Sequence, residues 1–179
     1  MAASSVLVPL YVYPFPGAWQ PLYDAITAHP RTQFLVVINP GNGPGPAPLP
    51  DANYCREIPK LRSHSNVAVF GYVHVVWLQR DLDSVSTDVE TYAAWPSQDP
   101  TMAVDGIFVD EAPIRADAHT VTYLGSLTNL VHRCWPKRCA YLASGDSPAP
   151  VSVSQTDTET DLPTVRYPIP ANAHVSVRY

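Results

Sequence analysis

Cysteine is scarce: the 179 residues hold three, Cys55, Cys134 and Cys139, and no Asn-x-Ser/Thr sequon occurs. An odd, small number of thiols does not describe a disulfide-stapled secreted domain, and free thiols are the simplest reading. Cys134 and Cys139 lack a second ligand pair, so no metal site is expected. Basic residues are also few, 11 Lys and Arg against 16 Asp and Glu, for a formal net charge of −5 and a pI near 5.6. Nucleic acid and anionic membrane surfaces need clustered cations to neutralise phosphate, which excludes them as expected partners. Long apolar runs are missing too. Met1-Ala2-Ala3-Ser4-Ser5 has no basic n-region, and the apolar stretch after it stops at Pro9. Neither a signal peptide nor a membrane span is expected, with the cytosol as default location.

Several catalytic signatures are absent. Gly41-Asn42-Gly43-Pro44-Gly45 is rich in glycine but lacks the Gly-x-Gly-x-x-Gly spacing and a Gly-Lys-Ser/Thr ending, and Pro44 removes a backbone donor. No Gly-x-Ser-x-Gly elbow and no His-Glu-x-x-His pair occur. Phosphate-loop, serine-hydrolase and zinc-protease chemistry are therefore unsupported, and no cofactor is expected.

Hydrophobic residues at 46% and charged residues at 15% supply a core, and the length suits one domain. Four runs read as buried strands: Val6 to Tyr13, Gln33 to Ile38, Val67 to His74 and Val104 to Val109. Helical spacing follows them. Trp19, Leu22, Tyr23 and Ile26 repeat on one face, as do Leu82, Val85, Val89 and Tyr92, and then Tyr123, Leu124, Leu127, Leu130 and Val131. Tyr54, Ile58 and Leu61 fit the same period, although Pro59 should interrupt it. Strand starts recur about every 30 residues, the size of a βαβ unit, so a parallel α/β fold is expected. From Cys134 to Tyr179 the rhythm fails: proline, serine and threonine dominate, and the segment reads as an irregular tail behind an ordered part of residues 1–133.

Parallel α/β folds bind ligands outside the carboxyl ends of the strands. Those ends carry Tyr13, Asn39-Pro40, Tyr72-Val73-His74 and Asp110-Glu111. Asp110 and Glu111, emerging from the apolar run Gly106 to Val109, are the candidate catalytic pair. The competing role is helix capping by one of them. Adjacent strand residues face opposite ways, so their roles should differ unless the strand end has already turned. Glycosidases set two carboxyl groups about 5 Å apart for retention or about 6.5 to 9.5 Å apart for inversion. His74 is placed to bond a substrate hydroxyl, while Tyr13, Tyr72 and Trp77 are candidates to stack on a sugar ring.

Taken together, Pro9-Leu10-Tyr11-Val12-Tyr13-Pro14, Val37-Ile38-Asn39-Pro40 with Gly43-Pro44-Gly45, Gly71-Tyr72-Val73-His74 and Asp105 to Pro113 resemble, in order and spacing, the spherulin-4 (spherulation-specific family 4) proteins. The resemblance covers about residues 6 to 133. It implies a (β/α)₈ barrel of the TIM type and, for glycoside hydrolase members, endo-cleavage of an α-1,4-linked galactosamine or N-acetylgalactosamine polysaccharide in fungi. The family's Asp-Glu pair falls on Asp110 and Glu111, and its Asn-Pro falls on Asn39 and Pro40, at the rim of the cleft. Substrate-binding residues are then expected at Tyr13, Asn39, Tyr72 and His74. Secretion or a cell-surface location is allowed by the same resemblance.

Two departures stand out. Val75-Val76-Trp77 replaces the small polar residue and Tyr that relatives tend to carry. The family's later strands, one of which brings a further active-site Glu, have no counterpart in Cys134 to Tyr179. Only the first four βα units of the barrel are thus expected, as in a truncated hydrolase. The alternative is a carbohydrate-binding or cell-surface protein without turnover.

Overall fold

The computed structural model of the chain describes residues 5–113 and 117–136, and the backbone of 140–143. Strand and helix alternate: β1 Ser5–Leu10, α1 Gln20–Ala28, β2 Gln33–Ile38, α2 Ala52–Arg62, β3 Val67–His74, α3 Leu82–Gln98, β4 Gly106–Asp110, α4 Ala118–Cys134 and β5 Ala140–Ala143. All strand pairs are parallel, and the spatial order β1-β2-β3-β4-β5 is the chain order. Parallel neighbours joined by right-handed crossovers carry every helix on one face. The order never reverses, so the sheet is singly wound, and among the described residues it is not closed.

Period-two alternation sorts the strand side chains into two layers. Val36, Ile38, Val69, Val73, Ile107 and Val109 meet the apolar stripes of the helices, including Ile26, Ile58, Leu61, Val85, Val89, Leu127 and Val131. On the other face Leu35, Val37, Phe70, Tyr72 and Phe108 form a second cluster. Helix α3 comes very close to β3 at Gly71, where an added Cβ would stand 2.7 Å from the Tyr92 ring.

Element boundaries differ from the sequence reading for identifiable reasons. Strand β1 stops at Leu10 instead of Tyr13, because its partner β2 ends at Ile38, the residue opposite Leu10. Strand β4 starts at Gly106 and runs on to Asp110, which pairs with His74. Helix α2 continues through Pro59. Asp51 caps it by accepting from the Asn53 and Tyr54 N–H groups, and the fully buried Ile58 and Leu61 outweigh one lost backbone bond. Strand β5, four residues paired with β4, lies within the segment read as an irregular tail from Cys134 and is too short to show a period. Residues 144–179 lie outside the described residues, as does Cys139, so the expectation for the Cys134 and Cys139 pair falls there as well.

Candidate functional site

The register of β3 on β4 sets Tyr72 opposite Phe108 and His74 opposite Asp110. Alternation therefore carries Tyr72, His74 and Asp110 to the helix-free face at the carboxyl end of the sheet. There the Tyr72 hydroxyl donates to Asp110 Oδ2 at 2.9 Å, and the Glu111 N–H donates to Asp110 Oδ1 at 2.9 Å. Each oxygen of Asp110 thus accepts a hydrogen bond, and the two together fix the orientation of the carboxylate. Burial raises the Tyr72 hydroxyl far above the ordinary tyrosine range, and the bond to Asp110 and the charge of Asp110 push in the same direction. Tyr72 stays protonated and donating at any ordinary pH.

Glu111 has already left the strand conformation, with φ of 56° in the left-handed region. The two carboxylates are consequently not forced to opposite faces as in a regular strand. Among the described residues the Glu111 side chain takes no hydrogen bond. Capping, the competing role for the pair, belongs elsewhere: α4 is capped by Asp117, which accepts from the Thr120 N–H at 2.7 Å.

The loop after β3 is strained as well. Val76, Trp77 and Leu78 have φ of 48°, 50° and 68°, with no glycine among them. A left-handed non-glycine residue costs about 1 to 3 kcal/mol, and more for a β-branched one, so such a run persists only where its surroundings dictate it. The surroundings do so here. The Val75 N–H donates to the Asp110 carbonyl at 3.1 Å and the Trp77 N–H to the Glu111 carbonyl at 2.9 Å, while the Gln79 N–H closes on Val76 at 2.9 Å.

His74 stacks on Tyr72, with centroids 6.2 Å apart and planes at 20°. Its carbonyl accepts from Arg80 Nη1 at 3.1 Å, and its Nδ1 lies 3.4 Å from the same nitrogen. A guanidinium only donates, so any bond across this contact has Nδ1 as the acceptor. Arg80 is fixed in turn by Asp88 at 2.8 Å.

Asp110, Glu111, Tyr72 and His74 are thus gathered at one strand mouth. Tyr13 and Asn39 are held beside α2 instead. Tyr13 donates to Asp51 at 3.0 Å and accepts from Asn53 at 2.7 Å. The Asn39 side chain accepts the Gly43 N–H at 3.1 Å, and its carbonyl accepts from the Tyr54 hydroxyl at 3.2 Å, so it shapes the loop after β2. Tyr11, not Tyr13, lies beside Tyr72 and within the electrostatic reach of the carboxylate. Its ring meets Tyr72 edge-on at 5.5 Å, and burial together with the charge of Asp110 pushes its hydroxyl up to about 12. Period two counted from Leu7 points to Tyr11, but β1 ends before Tyr13, so the alternation cannot be carried one step further. Nothing local in the sequence signals the left-handed turn at Trp77.

Among the described residues no group of three or more His, Cys, Asp or Glu is placed to hold a metal ion, and no helix is long and apolar enough to cross a membrane.

The profile of Spherulation-specific family 4 matches residues 5–158. Among solved structures, Sph3 of Aspergillus clavatus, crystallised in complex with GalNAc, is 55% identical with a TM-score of 0.69. The similarity covers 72% of this chain and 51% of that one, so the chain spans about half the length of the crystallised protein. A search of curated proteins finds no match.

Proposed function

Because the chain belongs to Spherulation-specific family 4, we propose that it acts on carbohydrate, as a glycoside hydrolase or part of one that cleaves α-1,4-linked galactosamine or N-acetylgalactosamine polymers internally. The observation that carries this reading is the doubly bonded Asp110 beside Glu111 at the carboxyl end of β4. Singly wound order with all helices on one face supports a further step, that the sheet is part of a TIM-type barrel whose interior is the helix-free face. The GalNAc bound to the similar Sph3 supports a galactosamine-type ring as the ligand.

The roles of the two acids follow from their bonding. Asp110, oriented by the Tyr72 hydroxyl and the Glu111 N–H, faces the positive charge that develops at the anomeric carbon as the glycosidic bond breaks. Glu111 accepts no side-chain hydrogen bond among the described residues, and it is assigned the general-acid role, carrying the proton to the leaving oxygen. Tyr72 is a positioning residue: it fixes the Asp110 rotamer, and its own ring is fixed by Phe108 and His74. His74 Nε2 is left to donate to a sugar hydroxyl.

A second reading is binding of carbohydrate without turnover, which the aromatic rings of Tyr11 and Tyr72 gathered beside His74 at the same strand mouth would also serve. One experiment separates the two. Wild type and Asp110→Asn are assayed for reducing ends released from an α-1,4-galactosamine polymer and for binding to it. The hydrolase reading expects Asp110→Asn to lose about 100-fold or more of the rate while keeping affinity. Wild-type binding with no reducing ends at any protein concentration selects the binding reading. Absence of both activity and binding overturns both.

A further inference from the structure

We propose that Trp77 is a sugar-stacking platform at the rim of this site, holding one hexosamine ring of the polymer beside the carboxylate pair. The inference rests on the carbohydrate reading above and adds a subsite to it.

Trp77 differs from the other tryptophans. Trp19 and Trp95 are buried in the core at 2% and 0% exposure, and the Trp135 indole N–H is tied to the Val104 carbonyl. Trp77 is 48% exposed. Its exposure is not the slack of a loose loop. On one side Val75 is fully buried, and on the other Leu78 packs against the main core, so the turn is clamped at both ends with the tryptophan turned outward between them. Further along, the Arg80 carbonyl accepts from the Tyr123 hydroxyl of α4 at 2.9 Å, and the Arg80 side chain reaches back to the His74 carbonyl.

The turn is also joined to the acids. Val75 and Trp77 donate their N–H groups to the carbonyls of Asp110 and Glu111, so the backbone carrying the indole is locked to the backbone carrying the pair. A left-handed turn of this kind is built cheaply from glycine or asparagine. Here Val76, Trp77 and Leu78 adopt it, and the conformation presents a large flat apolar surface at a strand mouth otherwise lined with hydroxyl, imidazole and carboxylate groups. Pyranose rings have one face of C–H groups, and an indole face is the side chain best suited to cover it. For a deacetylated unit, the ammonium of galactosamine adds a cation–π attraction to the same ring.

The strain supplies a test in which folding and binding move in opposite directions. Glycine fits a φ of 50° without penalty, so Trp77→Gly relaxes the turn while removing the ring. Wild type, Trp77→Gly and Trp77→Tyr are titrated calorimetrically with an α-1,4-linked galactosamine hexasaccharide, and their Tm values are measured. The platform predicts that Trp77→Gly binds the hexasaccharide about 10-fold more weakly with an unchanged or higher Tm, and that Trp77→Tyr stays within about 3-fold of wild type. Wild-type affinity in Trp77→Gly, with wild-type binding intact, overturns the platform and leaves the carbohydrate reading standing. A fall in Tm in Trp77→Gly that accompanies the lost affinity overturns it too, since the ring is then structural. No binding by the wild type overturns the carbohydrate reading and the platform with it.

Discussion

Strand β4 carries an acid at each end, and the two do different work. Asp105, ahead of the strand, accepts the Val69 N–H at 2.9 Å and lies 3.6 Å from Arg62, so it anchors the start of β4 to β3. Asp110, at the exit, is bonded by a buried tyrosine and by its own successor. A third carboxylate, Glu57, is 4% exposed yet belongs to no strand mouth. Burial by itself raises its pKa, but bonds from Lys60, Arg56 and Tyr23 outweigh that and hold it below the usual glutamate value. A lowered folded value means that Glu57 stabilises the protein above the ordinary carboxylate range and that this contribution is lost as pH falls through the lowered value. Glu57→Gln is therefore expected to cost about 1 to 3 kcal/mol at pH 7, with the Tm deficit shrinking as the pH falls below the ordinary glutamate range. A deficit independent of pH would remove the charge from the explanation.

At the scale of elements, the packing of α3 on β3 is the tightest constraint behind the site. Gly71 lies one residue before Tyr72, and its missing Cβ leaves room for the ring of the fully buried Tyr92. Gly71→Ala would have to displace that ring or β3 itself, at a cost of about 1 to 3 kcal/mol. Chemical denaturation should show the loss, and Tyr92→Leu in the same chain should recover part of it, because the atoms nearest the added Cβ all belong to the Tyr92 ring. Additive losses in the double variant would place the strain elsewhere. Shifting β3 also shifts Tyr72 and the turn at Trp77, so this contact reaches the candidate site without touching it.

For the whole molecule, the main core runs without a break from Trp19 under α1 to Val131 in α4, and every helix contributes to it. A continuous core of this kind predicts one cooperative transition. Far-ultraviolet circular dichroism and the fluorescence of the buried Trp19 and Trp95 should give coincident unfolding curves. Two separated transitions would mean that the sheet halves fold independently. Strand order decides a second matter at this scale. Chain order without reversal leaves no topological switch point among the described strands, so the sheet has no crevice between oppositely wound halves and its strand mouths open beside the helix-free face.

The sequence by itself determined the α/β class, four of the five described strands, the four helical faces and the stretch in which the acids lie. These are local properties: a β-branched run, a 3.6-residue stripe and an acid pair after a buried run are each written within about ten residues. It also marked Tyr72 and His74, because period two along an eight-residue strand is legible. Only the tertiary structure decided where β1 stops, and hence that Tyr11 faces Tyr72 while Tyr13 turns to α2, since a strand ends where its neighbour does. Only it decided that α2 survives Pro59, because the burial of Ile58 and Leu61 is a contact with distant strands. The bond from Tyr72 to Asp110 and the left-handed turn at Trp77 join residues more than thirty positions apart. Their geometry is set by the β3 and β4 register, a relation that no single segment of the sequence contains.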